Sequence, residues 1–165
     1  MTDALTGLPN RRAIDVWANR QLSAAARHDF PIWVVMADLD FFKKINDAYG
    51  HDGGDSVLKS FAEILKANTR QSNICGRMGG EEFLVVITHV EEKENVTIAI
   101  ERIREQFETH KCTVAGHTFG TTASFGIAGF RGTGSPGFSE LVTRADAALY
   151  SAKHKGRNRI EFAVE

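Results

Sequence analysis

The stretch Ile74-Cys75-Gly76-Arg77-Met78-Gly79-Gly80-Glu81-Glu82-Phe83-Leu84-Val85-Val86-Ile87-Thr88 decides how the rest of the chain is read. Two short apolar segments, residues 74–78 and 82–88, flank a pair of glycines and read as a β-hairpin whose turn carries Glu81 and Glu82. A hairpin in the middle of the chain requires antiparallel pairing, which a regularly alternating parallel fold does not contain. Upstream, Ile32-Trp33-Val34-Val35-Met36-Ala37 is apolar throughout, as a strand buried on both faces must be, and it runs out into Asp38-Leu39-Asp40. A first helix is predicted over residues 10–27, with Ile14, Trp17 and Leu22 on one side and Pro9-Asn10 at its opening. Between strand and hairpin lies a polar, glycine-containing stretch, residues 43–54, and then a helix begun by Asp55 or Ser56 with Val57, Leu58, Phe61, Ala62 and Leu65 at helical spacing.

Downstream of the hairpin, Val96, Ile100, Ile103 and Phe107 mark a third helix over residues 92–109, and residues 111–114 and 121–130 read as strands. A loop over residues 131–137 leads to a last helix, residues 139–155, with Ser139 as N-cap and Gly156 as its stop, and then to a short strand at 159–162. Strands interleaved with covering helices around a central hairpin predict an α+β sheet with helices on its faces.

The 165 residues suffice for one domain with its own core. Twenty basic against 21 acidic residues leave a net charge of −1, which excludes a non-specific nucleic-acid binder. No apolar run approaches the roughly 20 residues of a membrane span, and no signal segment opens the chain. Cys75 and Cys112 stand far apart and fit neither a disulfide framework nor a zinc site, so a cytoplasmic setting is expected.

The chemistry concentrates in carboxylates. Glu81 and Glu82 follow glycines that let backbone approach a ligand closely, and Asp38 and Asp40 stand at a strand end, where sheets of this kind place functional groups. If hairpin and strand are neighbours, Asp38 and Glu81 converge, and two or three convergent oxygens suit Mg²⁺, which takes its remaining ligands from water and phosphate. Cations must then lie near the phosphates. Lys43 and the pair Lys153 and Arg157 are candidates, although basic residues near a helix C-terminus also serve simply to complement its dipole. Asn46 and Asp55 bracket Gly50-His51-Asp52-Gly53-Gly54. A carboxylate there can accept from guanine N1–H and its exocyclic amine, an edge adenine does not present; Asn46 as a turn residue and Asp55 as a helix cap are the plainer alternatives. Gly132, Gly134 and Gly137 spell G-x-G-x-x-G, but Pro136 sits inside it and no acidic residue follows at the needed distance, so a dinucleotide site is not expected; no P-loop is present.

Taken together these segments resemble the GGDEF family of diguanylate cyclases. The resemblance runs over essentially the whole chain: Asp3-Ala4-Leu5-Thr6-Gly7-Leu8-Pro9-Asn10-Arg11-Arg12; Asp38 through Asp47 with Gly50-His51 and Gly54-Asp55; Arg77-Met78-Gly79-Gly80-Glu81-Glu82-Phe83; and Ala145-Asp146 through Arg157-Asn158. The signature here is GGEEF, an active variant in that family. The resemblance implies a central, largely antiparallel sheet wrapped by helices, similar to nucleotidyl cyclases and the polymerase palm. It implies condensation of two GTP into cyclic di-GMP with release of two pyrophosphates. By the same analogy, Asp38, Glu81, Glu82 and the Leu39 carbonyl hold two Mg²⁺ or Mn²⁺ ions, and Glu81 accepts the proton of the ribose 3′-hydroxyl. Lys43, as a catalytic residue beside Glu81, stabilises the charge developing on the phosphates, which the backbone N–H groups of Phe41 and Phe42 cradle; Lys153 and Arg157 grip the terminal phosphate, and Asn46 and Asp55 read guanine with His51 nearby.

Each such domain is expected to bind one GTP, so catalysis requires a homodimer of domains meeting face to face. The chain is expected to be a single catalytic domain, residues 1–165, excised from a longer protein with an upstream sensor. One departure stands out: where the family commonly carries R-x-x-D as a product-binding inhibitory site, this chain has Arg70-Gln71-Ser72-Asn73, and a neutral amide there should bind more weakly. A non-catalytic receptor for GTP or cyclic di-GMP is the alternative reading, which a damaged signature would favour; this signature is intact.

Overall fold

The central hairpin exists, and it is extended on one side only. In a computed structural model that describes residues 1–131 and 136–164, the elements run α1 (Arg11–His28), β1 (Ile32–Leu39), α2 (Phe42–Asn68), β2 (Ile74–Gly79), β3 (Glu82–Thr88), α3 (Lys93–Thr109), β4 (Cys112–Val114), β5 (His117–Phe119), β6 (Ala123–Phe130), α4 (Phe138–His154) and β7 (Ile160–Phe162). Five strands form one sheet in the order β2-β3-β1-β6-β7, antiparallel except for the β6–β7 pair. The fold is α+β, as the hairpin requires.

Strand alternation explains the two layers. On β1, Val35, Ala37 and Leu39 face the core formed with α2 and α3, while Ile32, Val34 and Met36 face α1 and α4. A fully apolar strand is what such two-sided burial demands. Phe61 of α2 sits at the centre of the first core, with ring centroids 4.9 Å from Phe83 and 4.9 Å from Phe107, tying α2, β3 and α3 together. On the other face α4 lies directly over β6, because Gly126 has no side chain to hold Ala145 and Leu149 away.

Four local readings need correction. Residues 43–54 are not a loop: α2 begins at Phe42, and Gly50 alone breaks it, at φ 74°, ψ 179°. Asp55 therefore sits inside a helix and caps nothing. The polar composition of residues 43–52 reflects an exposed helix piece, whose only buried apolar residue is Ile45. Glu82 is the first residue of β3 and not part of the turn. Strand β5 went unread because Phe119 is its one apolar residue; it pairs with β4 through Ala115-Gly116, both at positive φ, the geometry of a two-residue hairpin. The α4 cap is Gly137, not Ser139, with no side-chain hydrogen bond. The G-x-G-x-x-G pattern lies mostly outside the described residues.

Candidate active site

Antiparallel register assembles the site. Asp38 is the partner of Glu82 across β1 and β3, and Leu39 N donates to the Glu81 carbonyl at 3.2 Å, so the ends of both strands and the hairpin turn share one edge of the sheet. The turn itself is fixed from behind. Gly79 and Gly80 take φ 144° and 54°, conformations that side chains resist, and Arg77 donates to the Gly80 carbonyl through Nε (3.0 Å) and Nη2 (2.8 Å). Arg77 also pairs with Asp3 at 3.3 Å, whose carboxylate accepts from the Thr6 backbone and hydroxyl. The opening motif of the chain thus acts as a brace for the turn, a role that composition and spacing gave no means of reading.

Alternation places the Asp38 side chain on the α4 face, where Lys153 Nζ meets its Oδ2 at 2.9 Å. Its other oxygen, Oδ1, is buried without a hydrogen-bond partner. A buried, unmet carboxylate oxygen is rare and expensive, and it marks a position built to face a ligand cation. Burial first, opposed by Lys153 and reinforced by the nearby charges of Glu81 and Glu82, pushes the Asp38 carboxyl up to about 6. Burial, Asp146 and Glu81 likewise raise the Glu82 carboxyl above its ordinary value. Among the described residues no three His, Cys, Asp or Glu side chains form a ready-made metal cage. The donor set fits a hard ion that takes few protein ligands: an orphaned carboxylate oxygen, Glu81 in the adjacent turn, Glu82 at the start of β3, and the end of β1 with its Leu39 carbonyl.

Asp40, read alongside Asp38 as a second acid of the site, has a different place. It is fully buried, accepts from Thr122 Oγ1 (2.7 Å) and Ser124 Oγ (2.8 Å), and belongs to the scaffold. Phe41 follows it in the left-handed region (φ 58°, ψ 29°), half-exposed, and opens α2, leaving the backbone N–H groups of the first turn without intrahelical acceptors. Its ring carries two cations, Lys44 Nζ at 5.0 Å and the Arg157 guanidinium at 5.1 Å, so Arg157 does reach this end of the molecule. Lys43 stands exposed in the same turn.

The Gly50 kink brings Asn46 against Gly54. It folds the first piece of α2 against the second so closely that a Cβ on Gly54 would overlap Asn46 Oδ1 and lie 3.2 Å from Phe42 Cζ. Asn46 thus abuts the residue preceding Asp55, with His51 exposed in the intervening turn. By contrast, Arg70 and Asn73 lie at the opposite end of the hairpin. Asn73 Oδ1 accepts from Thr88 N at 3.0 Å, and both residues line an open groove of about 490 Å³ against α3.

Residues 1–159 match the family described as diguanylate cyclase, GGDEF domain. The chain is 40% identical over 161 residues to diguanylate cyclase DosC of Escherichia coli K12, covering 97% of this chain and 34% of that protein. It is 39% identical over 162 residues to the response regulator PleD of Caulobacter vibrioides, with 97% and 35% covered. The chain therefore spans about a third of the length of these relatives. Among solved structures it resembles the GGDEF domain of DgcB from Caulobacter crescentus in complex with c-di-GMP (TM-score 0.92, 32% identity, 98% of this chain and 94% of that one). It also resembles the active GGEEF domain of a diguanylate cyclase from Vibrio cholerae (TM-score 0.86, 32% identity, 96% and 99%).

Proposed function

We propose, from the premise that this chain belongs to the GGDEF family of diguanylate cyclases, that it condenses two GTP into cyclic di-GMP and two pyrophosphates. The observation that carries the reading is Asp38: a buried carboxylate with one oxygen on Lys153 and the other unmet, at the strand end beside Glu81 and Glu82. Asp38, Glu81, Glu82 and the Leu39 carbonyl would hold two Mg²⁺ or Mn²⁺ ions, which when bound lower the pKa of an attacking hydroxyl and neutralise charge on the departing pyrophosphate. Glu81 accepts the ribose 3′-hydroxyl proton. Lys43 and the Phe41 and Phe42 N–H groups hold phosphates, and Lys153 and Arg157 hold the terminal one. Asn46 and Asp55, with His51 nearby, select guanine by its donor–acceptor edge.

One domain of this size holds one GTP, so two copies of the chain must meet antiparallel for each 3′-hydroxyl to reach the other's α-phosphate. We read residues 1–165 as a single catalytic domain of a longer, sensor-bearing protein. Incubation with GTP and Mg²⁺ should yield cyclic di-GMP, and the rate per monomer should rise with protein concentration. GTP binding without pyrophosphate release would replace this reading by a non-catalytic receptor, and a concentration-independent rate would remove the dimer. Comparable turnover of ATP would sink the guanine assignment.

Two variants probe the outlying assignments. Gly54→Ala should force Asn46 aside and raise the half-saturating GTP concentration about tenfold with the maximal rate largely kept, the worth of one or two hydrogen bonds. An unchanged GTP requirement would dissociate Asn46 from substrate. Product inhibition through Arg70 and Asn73 should be weak, since Asn73 already spends its amide oxygen on Thr88 N. Strong non-competitive inhibition by cyclic di-GMP that vanishes in Arg70→Ala would contradict this.

A further inference from the structure

The buried carboxylate of Asp40 takes no part in the chemistry proposed above, and its hydrogen bonds tie together two segments that do. Its backbone N donates to the Thr122 carbonyl at 2.8 Å and its carbonyl accepts from Thr121 Oγ1 at 2.6 Å. Its side chain accepts from Thr122 Oγ1 (2.7 Å), Ser124 Oγ (2.8 Å) and, at 3.1 Å, from the backbone N of Asn158. Asn158 N is shared with Ser124 Oγ at 3.1 Å. Asn158 is gripped from its other side too: Arg104 Nη1 of α3 donates to its Oδ1 at 2.9 Å, and its amide reaches Glu108.

This grip holds an unfavourable backbone. Arg157 and Asn158 are consecutive non-glycine residues at φ 63° and 48°, a pairing that persists only where surroundings impose it. The turn that they form directs Arg157 over the Phe41 ring, next to Asp40 in sequence. A fully buried carboxylate whose charge meets hydrogen-bond donors and no cation among the described residues is costly to keep, which points to a positional task.

We infer that Asp40 is a positioning residue: by holding the Asn158 backbone it sets the end of α4 so that Arg157 faces the phosphate-binding turn at Phe41. The inference rests on the phosphate role given to Arg157 in the proposed function. Asp40→Ala removes the acceptor for Asn158 N and frees the turn. Asp40→Asn keeps it, because an amide oxygen can accept from Asn158 N while its NH₂ turns to the Ser124 hydroxyl, which can rotate to accept.

The test is calorimetric binding of a non-reacting GTP analogue and of GMP with Mg²⁺, combined with hydrogen exchange on the free protein. Asp40→Ala should weaken the triphosphate about tenfold, and in an Arg157→Ala background it should cost no more than about twofold further, because coupled groups are non-additive. GMP affinity should stay within about twofold and Asp40→Asn should restore most of the triphosphate affinity, since the charge-assisted phosphate contact alone is disturbed. Backbone amides of residues 153–158 should exchange faster in Asp40→Ala without any ligand. Should Asp40→Ala fail to fold, Ser124→Ala takes its place with the same pattern at about threefold. Additive losses with Arg157→Ala, equal losses for GMP, or unchanged exchange at 153–158 would overturn the assignment. A parent protein that binds no GTP would count against the proposed function instead, while the exchange measurement would still decide whether Asp40 holds the turn.

Discussion

Asp38→Asn is expected to yield a protein that is more stable than its parent at pH 7 and about a thousandfold slower with GTP, the usual size of an effect on charge stabilisation at a reacting phosphate. Both effects have one cause. The residue is only 8% exposed, and burial lifts its carboxyl from 3.8 to about 6. A carboxylic acid whose folded pKa is raised costs stability above the folded value, because ionisation is then harder in the fold than in the open chain. Below the unfolded value both states are protonated and the cost is gone. The advantage of Asp38→Asn over the parent should therefore be near zero at pH 4, grow between pH 4 and 6, and level off above pH 6 at about 3 kcal/mol. Chemical denaturation in chelator across that range measures it. Equal stability at every pH would mean that the carboxylate is better solvated than its burial implies, and near-normal turnover at saturating metal would end the metal-ligand assignment. Glu81→Ala should lose turnover to a similar extent with little change in stability, since a turn glutamate carries little packing.

Gly126→Ala should cause the largest loss of stability of any single methyl addition on the sheet. A Cβ there would overlap the Ala145 carbonyl and Leu149 N and lie 2.8 Å from Leu149 Cα, so it meets helix backbone and no side chain that could swing away. Either α4 lifts from β6 or the strand buckles, at about 3 kcal/mol. Lys153 lies one turn beyond Leu149 on the same helix, so the shift also draws it from Asp38, and turnover should fall with stability. Gly137→Ala is the control: nothing stands within 4 Å of its Cβ position and its φ is −69°, so the cost should stay below about 1 kcal/mol. Urea midpoints at constant slope compare the two, and equal midpoints would show that α4 is not seated on β6 through Gly126.

Much of this site was legible in the chain because its chemistry is local. The glycine pair and the residues flanking it fix a hairpin, and an unbroken apolar run ending in acids fixes a buried strand whose end is polar; each depends on a few neighbours in sequence. The kinked α2 was illegible for the converse reason. Residues 43–52 carry few apolar side chains because that piece of helix is exposed, so periodicity was silent, and Gly50, which usually signals a loop, is here a single break between two helical pieces. Strand β5 has a single apolar residue, Phe119, and is held by its partner β4 and by Tyr49 stacked on Phe119 at 4.0 Å. The brace from Asp3 to Arg77 spans 74 positions and leaves no local trace.

The sequence by itself determined the α+β class and the family, since these follow from period, turn chemistry and motif order. It could not assign Asp38 and Asp40, two acids two positions apart where one strand ends. Tertiary structure decided between them. Asp38 faces a lone lysine from α4 and leaves an oxygen open, whereas Asp40 is saturated by Ser124 and Asn158, 84 and 118 positions away. Hydrogen-bond saturation depends on which donors the fold delivers, and donors that arrive from distant segments are fixed by packing and not by any local pattern.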